Sequence, residues 1–153
     1  MDDEAIELMA ETGTYLVADI YFGDWIEEEG RRAGWSADVL RKNDETTEAQ
    51  RQGFAKAVKA GVRLAYGTDS GGYPHRWVGK QFAYMVRYGM TPLEAIRSAT
   101  VSAADLLGWD RVGSIVPGSF ADLVGVPGDP TDDITLLEDV AFVMKGGRVL
   151  KGP

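Results

Sequence analysis

Asp69 is the residue on which chemistry could be built. It stands in the stretch GVRLAYGTDSGG, Gly61 to Gly72, where an apolar run from Val62 to Tyr66, interrupted by Arg63, stops at Gly67. Thr68, Asp69 and Ser70 follow, and then two glycines that permit backbone angles other residues resist. A strand that ends at a glycine and presents a carboxylate at its C-terminal end is how α/β barrels and open α/β sheets place reactive groups.

Four readings compete for GTDSGGYPH. DSGG also surrounds the nucleophile of chymotrypsin-like serine proteases, but that reaction needs a histidine base and an orienting carboxylate. The single histidine, His75, lies five residues after Ser70, and the alternation of strand and helix does not suit a double β-barrel. An aspartic protease needs two carboxylates sharing a proton in a mostly β chain, which this is not. Asp, Ser and Gly are also ordinary turn residues, and Tyr73 and Trp77 read as packing residues. Finally, a carboxylate at a strand end can bind a divalent metal and take a proton from the water that the ion acidifies to a pKa of about 7.

Composition narrows the field. The 153 residues suffice for one ordinary domain. The net charge of −8 argues against a general nucleic-acid partner. There is no cysteine, hence no disulfide and no thiolate metal site. No apolar run approaches the roughly 20 residues that span a bilayer, and the acidic start MDDEAIELMAE is unlike a secretory signal. These features describe a cytoplasmic protein with no membrane partner. A zinc site made of several histidines cannot come from this chain alone, which has one.

The elements that must position Asp69 alternate. Asp2 or Asp3 caps a helix over Glu4 to Glu11 that stops at Gly13. Thr14 to Ile20, TYLVADI, has the character of a strand buried on both faces. The polar stretch after Tyr21, Phe22 and Trp25 reads as a loop, with at most a helical turn. Ser36 caps a short helix to Lys42, and a second helix runs from Glu45 to Ala60. The strand Val62 to Tyr66 completes a βαβ unit, which implies parallel neighbours. A helix follows over Trp77 to Tyr88. Thr91-Pro92-Leu93-Glu94 signals a helix start three ways, and another helix runs from Ser102 to Gly108. Beyond Asp110 the reading is β: Gly113 to Ile115, Asp122 to Val126, Val140 to Lys145 and Arg148 to Lys151 as strands, with a helical turn at Ile134 to Leu137. Gly146-Gly147 is a hairpin signal. Two parallel strands cannot bury both faces of a sheet by themselves, so the chain looks like part of a larger α/β protein.

GVRLAYGTDSGGYPH, YGMTPLEAIRSATVSAADLLGW, GSIVPGSFADLVGVPGDPTDDI and VMKGGRVL, in that order, resemble the C-terminal part of the amidohydrolase superfamily. The likeness is to the imidazolonepropionase-like branch, which includes Xaa-Pro dipeptidases. The resemblance implies an α/β fold: residues 1–109 as the C-terminal part of a metal-dependent (β/α)8 barrel, and 110–153 as strands of a small composite β-sandwich. TYLVADI would be the seventh barrel strand and VRLAY the eighth. Asp69 would match the aspartate that ligates metal and shuttles the proton during hydrolysis of an amide or dipeptide C–N bond. The implied cofactor is a divalent metal, zinc first, as one or two ions, whose other ligands lie upstream of this chain. His75, Arg76 and, less directly, Tyr21 are implied as substrate-binding residues. Relatives carry Pro-His-Gly where this chain has Pro74-His75-Arg76, so Arg76 could narrow the pocket, hold a substrate carboxylate bidentately or face solvent. The implied partners are a small-molecule or dipeptide substrate and the missing N-terminal part. The alternative is a truncated, non-catalytic chain that self-associates through unpaired strands.

Overall fold

The computed structural model describes residues 1–152; Pro153, the last residue of the expected β segment, lies outside the described residues. Helix α1 (Asp3–Thr12) begins where the Asp2 carboxylate accepts the Ala5 amide at 2.9 Å and ends at Gly13. Strand β1 (Tyr15–Ala18) leads into α2 (Phe22–Ala33) and α3 (Ala37–Lys59), and the chain returns through β2 (Arg63–Tyr66). The two strands pair in parallel, from Tyr15 opposite Arg63 to Ala18 opposite Tyr66. A 3-10 turn (His75–Trp77) then precedes α4 (Lys80–Arg87), α5 (Pro92–Ser98) and α6 (Val101–Leu107). The second sheet is antiparallel, in the order β3 (Leu123–Gly125), β4 (Phe142–Lys145), β5 (Arg148–Lys151), with a 3-10 turn (Ile134–Glu138) between β3 and β4.

Side chains alternate across a strand, so the parallel pair has two distinct faces. Leu16, Ala18, Leu64 and Tyr66 point to the helices, where Ala18, Ile20, Phe54, Met85, Met90 and Ala95 form the main core. A smaller cluster joins Ile6, Ala57 and Val62. Val17, on the other face, is half exposed. At α5 the expected start is present in full: Thr91 accepts the Glu94 amide, and the Glu94 carboxylate accepts the Thr91 amide at 2.7 Å.

Four expectations are corrected. The stretch after Tyr21 is not a loop but the helix α2. No side chain caps its start, and Gly30 lies inside it, so the usual signals are missing. Gly30 is there for space: a Cβ would sit 2.7 Å from the Leu40 side chain and 3.0 Å from the Trp35 ring. The two helices expected at Ala37–Lys42 and Glu45–Ala60 are one, α3. The polar residues at its middle are satisfied without a break, since Asn43 donates to the Gly23 carbonyl at 2.8 Å and Thr46 to Lys42 at 2.9 Å. The helix expected over Trp77 to Tyr88 is divided into the 3-10 turn and α4. Gly79, at the division, is packed so closely on the Ile134–Glu138 turn that a Cβ would stand 2.5 Å from the Leu137 carbonyl oxygen. Gly113 to Ile115 is a turn rather than a strand, with Ile115 87% exposed and no partner strand beside it among the described residues.

Candidate active site

Asp69 follows β2 by three residues and has φ of +47°, the only positive value on a non-glycine residue among the described residues. Aspartate tolerates this left-handed conformation better than most side chains, at some cost in strain. The Asp69 carbonyl accepts the Gly72 amide at 3.2 Å, which closes the turn. The side chain is exposed, and with Val17, Asp19, Gly67 and Thr68 it lines a cleft of about 280 Å³ at the C-terminal ends of both strands.

Asp19 is the residue that sequence reasoning missed. It follows β1 directly and lies on the Val17 face by strand alternation. Gln50 of α3 donates to one of its oxygens at 2.7 Å. The signal was present: an acidic residue at the C-terminal end of an apolar run, as at Asp69. No glycine turn follows Asp19, and that made it look like an ordinary part of TYLVADI.

An aromatic group stands behind the cleft. The Tyr73 ring is buried, with centroids 5.8 Å from Tyr21, 5.3 Å from Phe22 and 5.8 Å from Trp25. Burial raises the Tyr73 pKa, the nearby Thr68 side chain partly opposes this, and the charges of Asp19 and Asp69 add to it. The junction of β1 and α2 is fixed by Arg51, which is buried. Its Nε donates to the Ile20 carbonyl at 3.0 Å and its Nη2 to Asp24 at 2.6 Å, while its guanidinium lies 5.0 Å from the Tyr84 ring centroid. Tyr84 donates its hydroxyl to the same Asp24.

The three residues implied as substrate-binding are not brought into the cleft lining. Tyr21 is 4% exposed, with its ring between Tyr73 and Tyr84. His75 and Arg76 are exposed on the 3-10 turn, and the Arg76 guanidinium lies 4.9 Å from the Trp77 ring centroid. Among the described residues no group of three or more His, Cys, Asp or Glu converges as a metal cage. The chain therefore offers a divalent ion hard oxygen donors at Asp69 and Asp19, which suit such an ion but do not complete a site. A larger cleft of about 570 Å³, lined by Trp109, Arg111, Phe120 and Lys145, lies away from the strand ends, and its Asp122 is engaged by Lys145 and the Gly146 amide.

Burial pushes the Tyr21 phenol up to about 12, and raises Tyr66 and Tyr84 still further above their ordinary value of 10. A phenol whose folded pKa is raised contributes stability that is complete below pH 10 and is lost as pH climbs through the folded value. Alkaline titration is therefore expected to show tyrosinate absorbance from these side chains appearing together with unfolding above pH 10. Full ionisation near pH 10 in a chain with unchanged circular dichroism would contradict the packing described.

No helix of the described residues is long and apolar enough to cross a membrane. The amidohydrolase family profile matches residues 1–150. Ochratoxinase of Aspergillus niger is 32% identical over 158 aligned positions, which cover 99% of this chain and 32% of that protein. Its crystal structure superposes with a TM-score of 0.81 at 31% identity, covering 99% of this chain and 35% of that one. The crystal structure of a Xaa-Pro dipeptidase with bound methionine in its active site gives a TM-score of 0.89 at 40% identity, covering 99% and 38%. Imidazolonepropionase of Streptomyces coelicolor is 33% identical over 96 positions, 57% of this chain and 23% of that protein. The chain thus spans about a third of the length of the relatives it matches most fully. Its α/β architecture is a portion of the amidohydrolase barrel fold, as the sequence resemblance implied. By its family match over nearly the whole length and by its relatives, the chain belongs to the amidohydrolase family.

Proposed function

We propose that the chain supplies the last two strand ends of a metal-dependent hydrolase that cleaves the C–N bond of a dipeptide or an N-acylated amino acid. In this reading β1 and β2 are the seventh and eighth barrel strands, residues 1–109 are the barrel share, and 110–153 belong to a composite sandwich. The observation that carries it is the exposed Asp69 carboxylate on the cleft at the ends of two parallel strands. Relatives named ochratoxinase and Xaa-Pro dipeptidase support the bond class.

Asp69 would hold the divalent ion, zinc first, with further ligands from the part of the fold that this chain does not span. The ion, when bound, lowers the pKa of water to about 7. Asp69 accepts the proton of the attacking water and returns it to the leaving nitrogen, so the amine departs neutral. The left-handed turn holds that carboxylate forward into the cleft. Arg76 and His75, exposed on the following turn outside the lining of this cleft, would receive a substrate carboxylate at its margin, and Tyr21, buried between Tyr73 and Tyr84, would act only through the rings packed on it.

Assay of the isolated chain with zinc, Xaa-Pro dipeptides and N-acyl amino acids is expected to show no turnover, and an in-frame His-x-His pair in the DNA upstream of Met1 would support this reading. Robust hydrolysis by the 153-residue chain alone would overturn the division of ligands. One observation favours a second reading, a non-catalytic chain that associates with another copy: among the described residues β1 and β2 pair only with each other, which leaves their outer edges unpaired there. A stop codon immediately upstream of Met1 would favour it.

A further inference from the structure

Gln81 projects from the first turn of α4 and is completely buried, at 0% exposure. A buried carboxamide is costly unless its donors and acceptor are used. Here all of them are. Nε2 donates to the Ala18 carbonyl at 2.5 Å and to the Gly67 carbonyl at 2.8 Å, and Oε1 accepts the Tyr21 amide at 3.0 Å. Ala18 is the last residue of β1, and Gly67 is the first residue after β2. The parallel ladder stops at the pair Ala18–Tyr66, so one side chain takes over where strand pairing ends. Asp19 lies one residue beyond one of its contacts, and Asp69 two residues beyond the other.

We propose that Gln81 is a positioning residue, a clamp that ties both strand ends together so that the Asp19 and Asp69 carboxylates face one cleft at a fixed separation. The significance of the clamp for catalysis rests on the hydrolase reading above, but the clamp itself does not. An apolar side chain of the same length would fill the same volume and leave two carbonyls and one amide without partners. A glutamate would keep the acceptor for Tyr21 but offer the two carbonyls one donor at most, and that only when protonated.

Amide hydrogen exchange on the 153-residue chain separates these roles. The Val62 amide, bonded to the Ala57 carbonyl at 3.0 Å away from the clamp, reports core stability. Tyr21 reports the β1 side, and Gly72, bonded to the Asp69 carbonyl, reports the Asp69 turn. In Gln81→Met, Tyr21 and Gly72 are expected to exchange about tenfold faster relative to Val62, as loss of a hydrogen bond predicts. In Gln81→Glu, Tyr21 is expected to stay protected while Gly72 accelerates. In the unmodified chain, the Gln81 side-chain amide protons are expected to exchange at least about tenfold slower than a free carboxamide, a measurement that needs no variant to fold. The proposal is overturned if Tyr21 and Gly72 change only in step with Val62, or if the Gln81 side-chain protons exchange freely. Failure of the hydrolase reading, seen as absent catalysis in any protein carrying this chain, would leave these exchange results standing.

Discussion

Asp69→Asn is expected to lower kcat/KM by about 10³-fold or more in a catalytically active protein that carries this chain, the scale on which acid–base groups act. The variant removes the charge and the basicity of the carboxylate and keeps its shape. Asparagine also tolerates the left-handed backbone that Asp69 adopts at φ +47°. The Asp69 side chain is exposed, so its replacement leaves the core of Ala18, Ile20, Phe54 and Met85 intact. Circular dichroism and the melting temperature are therefore expected to stay within error of the parent, which isolates the chemical defect from misfolding. Alanine would be a poorer choice, since it adds backbone strain at the same position. Retention of more than a tenth of the parent kcat/KM would remove Asp69 from the reaction.

The second large effect is on folding. Phe54, near the C-terminal end of α3, is 1% exposed and packs with Ala18, Ile20, Met85, Met90 and Ala95. The cluster it belongs to draws residues from β1, α3, α4 and α5. Phe54→Ala removes the buried ring and leaves a cavity lined by residues of four elements that cannot all collapse into it. The expected cost is about 3–5 kcal/mol, a large share of the total of about 5–15 kcal/mol typical of a domain. Urea unfolding followed by circular dichroism is expected to show the midpoint falling sharply or the transition disappearing. A loss under about 1 kcal/mol, the scale of a surface change, would mean that the core is centred elsewhere.

The features legible in the sequence were those whose cause is local. Thr91, Pro92 and Glu94 announce α5 because capping is settled within four residues. Gly13, Gly108 and the pair Gly146-Gly147 mark stops and a hairpin for the same reason. The parallel pairing of β1 with β2 followed from a strand, helix, strand order at ordinary spacing. Asp69 stood out through the glycines around it. Features decided by distant contacts were hidden. Gly30 lies inside α2, and only the approach of Trp35 and Leu40 shows why a glycine stands there. Gln81 sits among Val78, Phe82, Met85 and Val86 as one polar residue on an apolar face, and its partners lie 14 to 63 residues away in sequence. Backbone carbonyls leave no trace in residue types, so no pattern in the letters could have named them.

The seat of Gly79 against Leu137 and Glu138 bears on how the molecule can be shortened. The change of composition near Asp110 invites a cut there, yet removing everything beyond it would strip the backbone that presses on the start of α4, the very turn from which Gln81 projects. A trimmed version intended to keep the Asp69 turn in place needs to run through Glu138 at least, and the terminal hairpin is the safer part to give up.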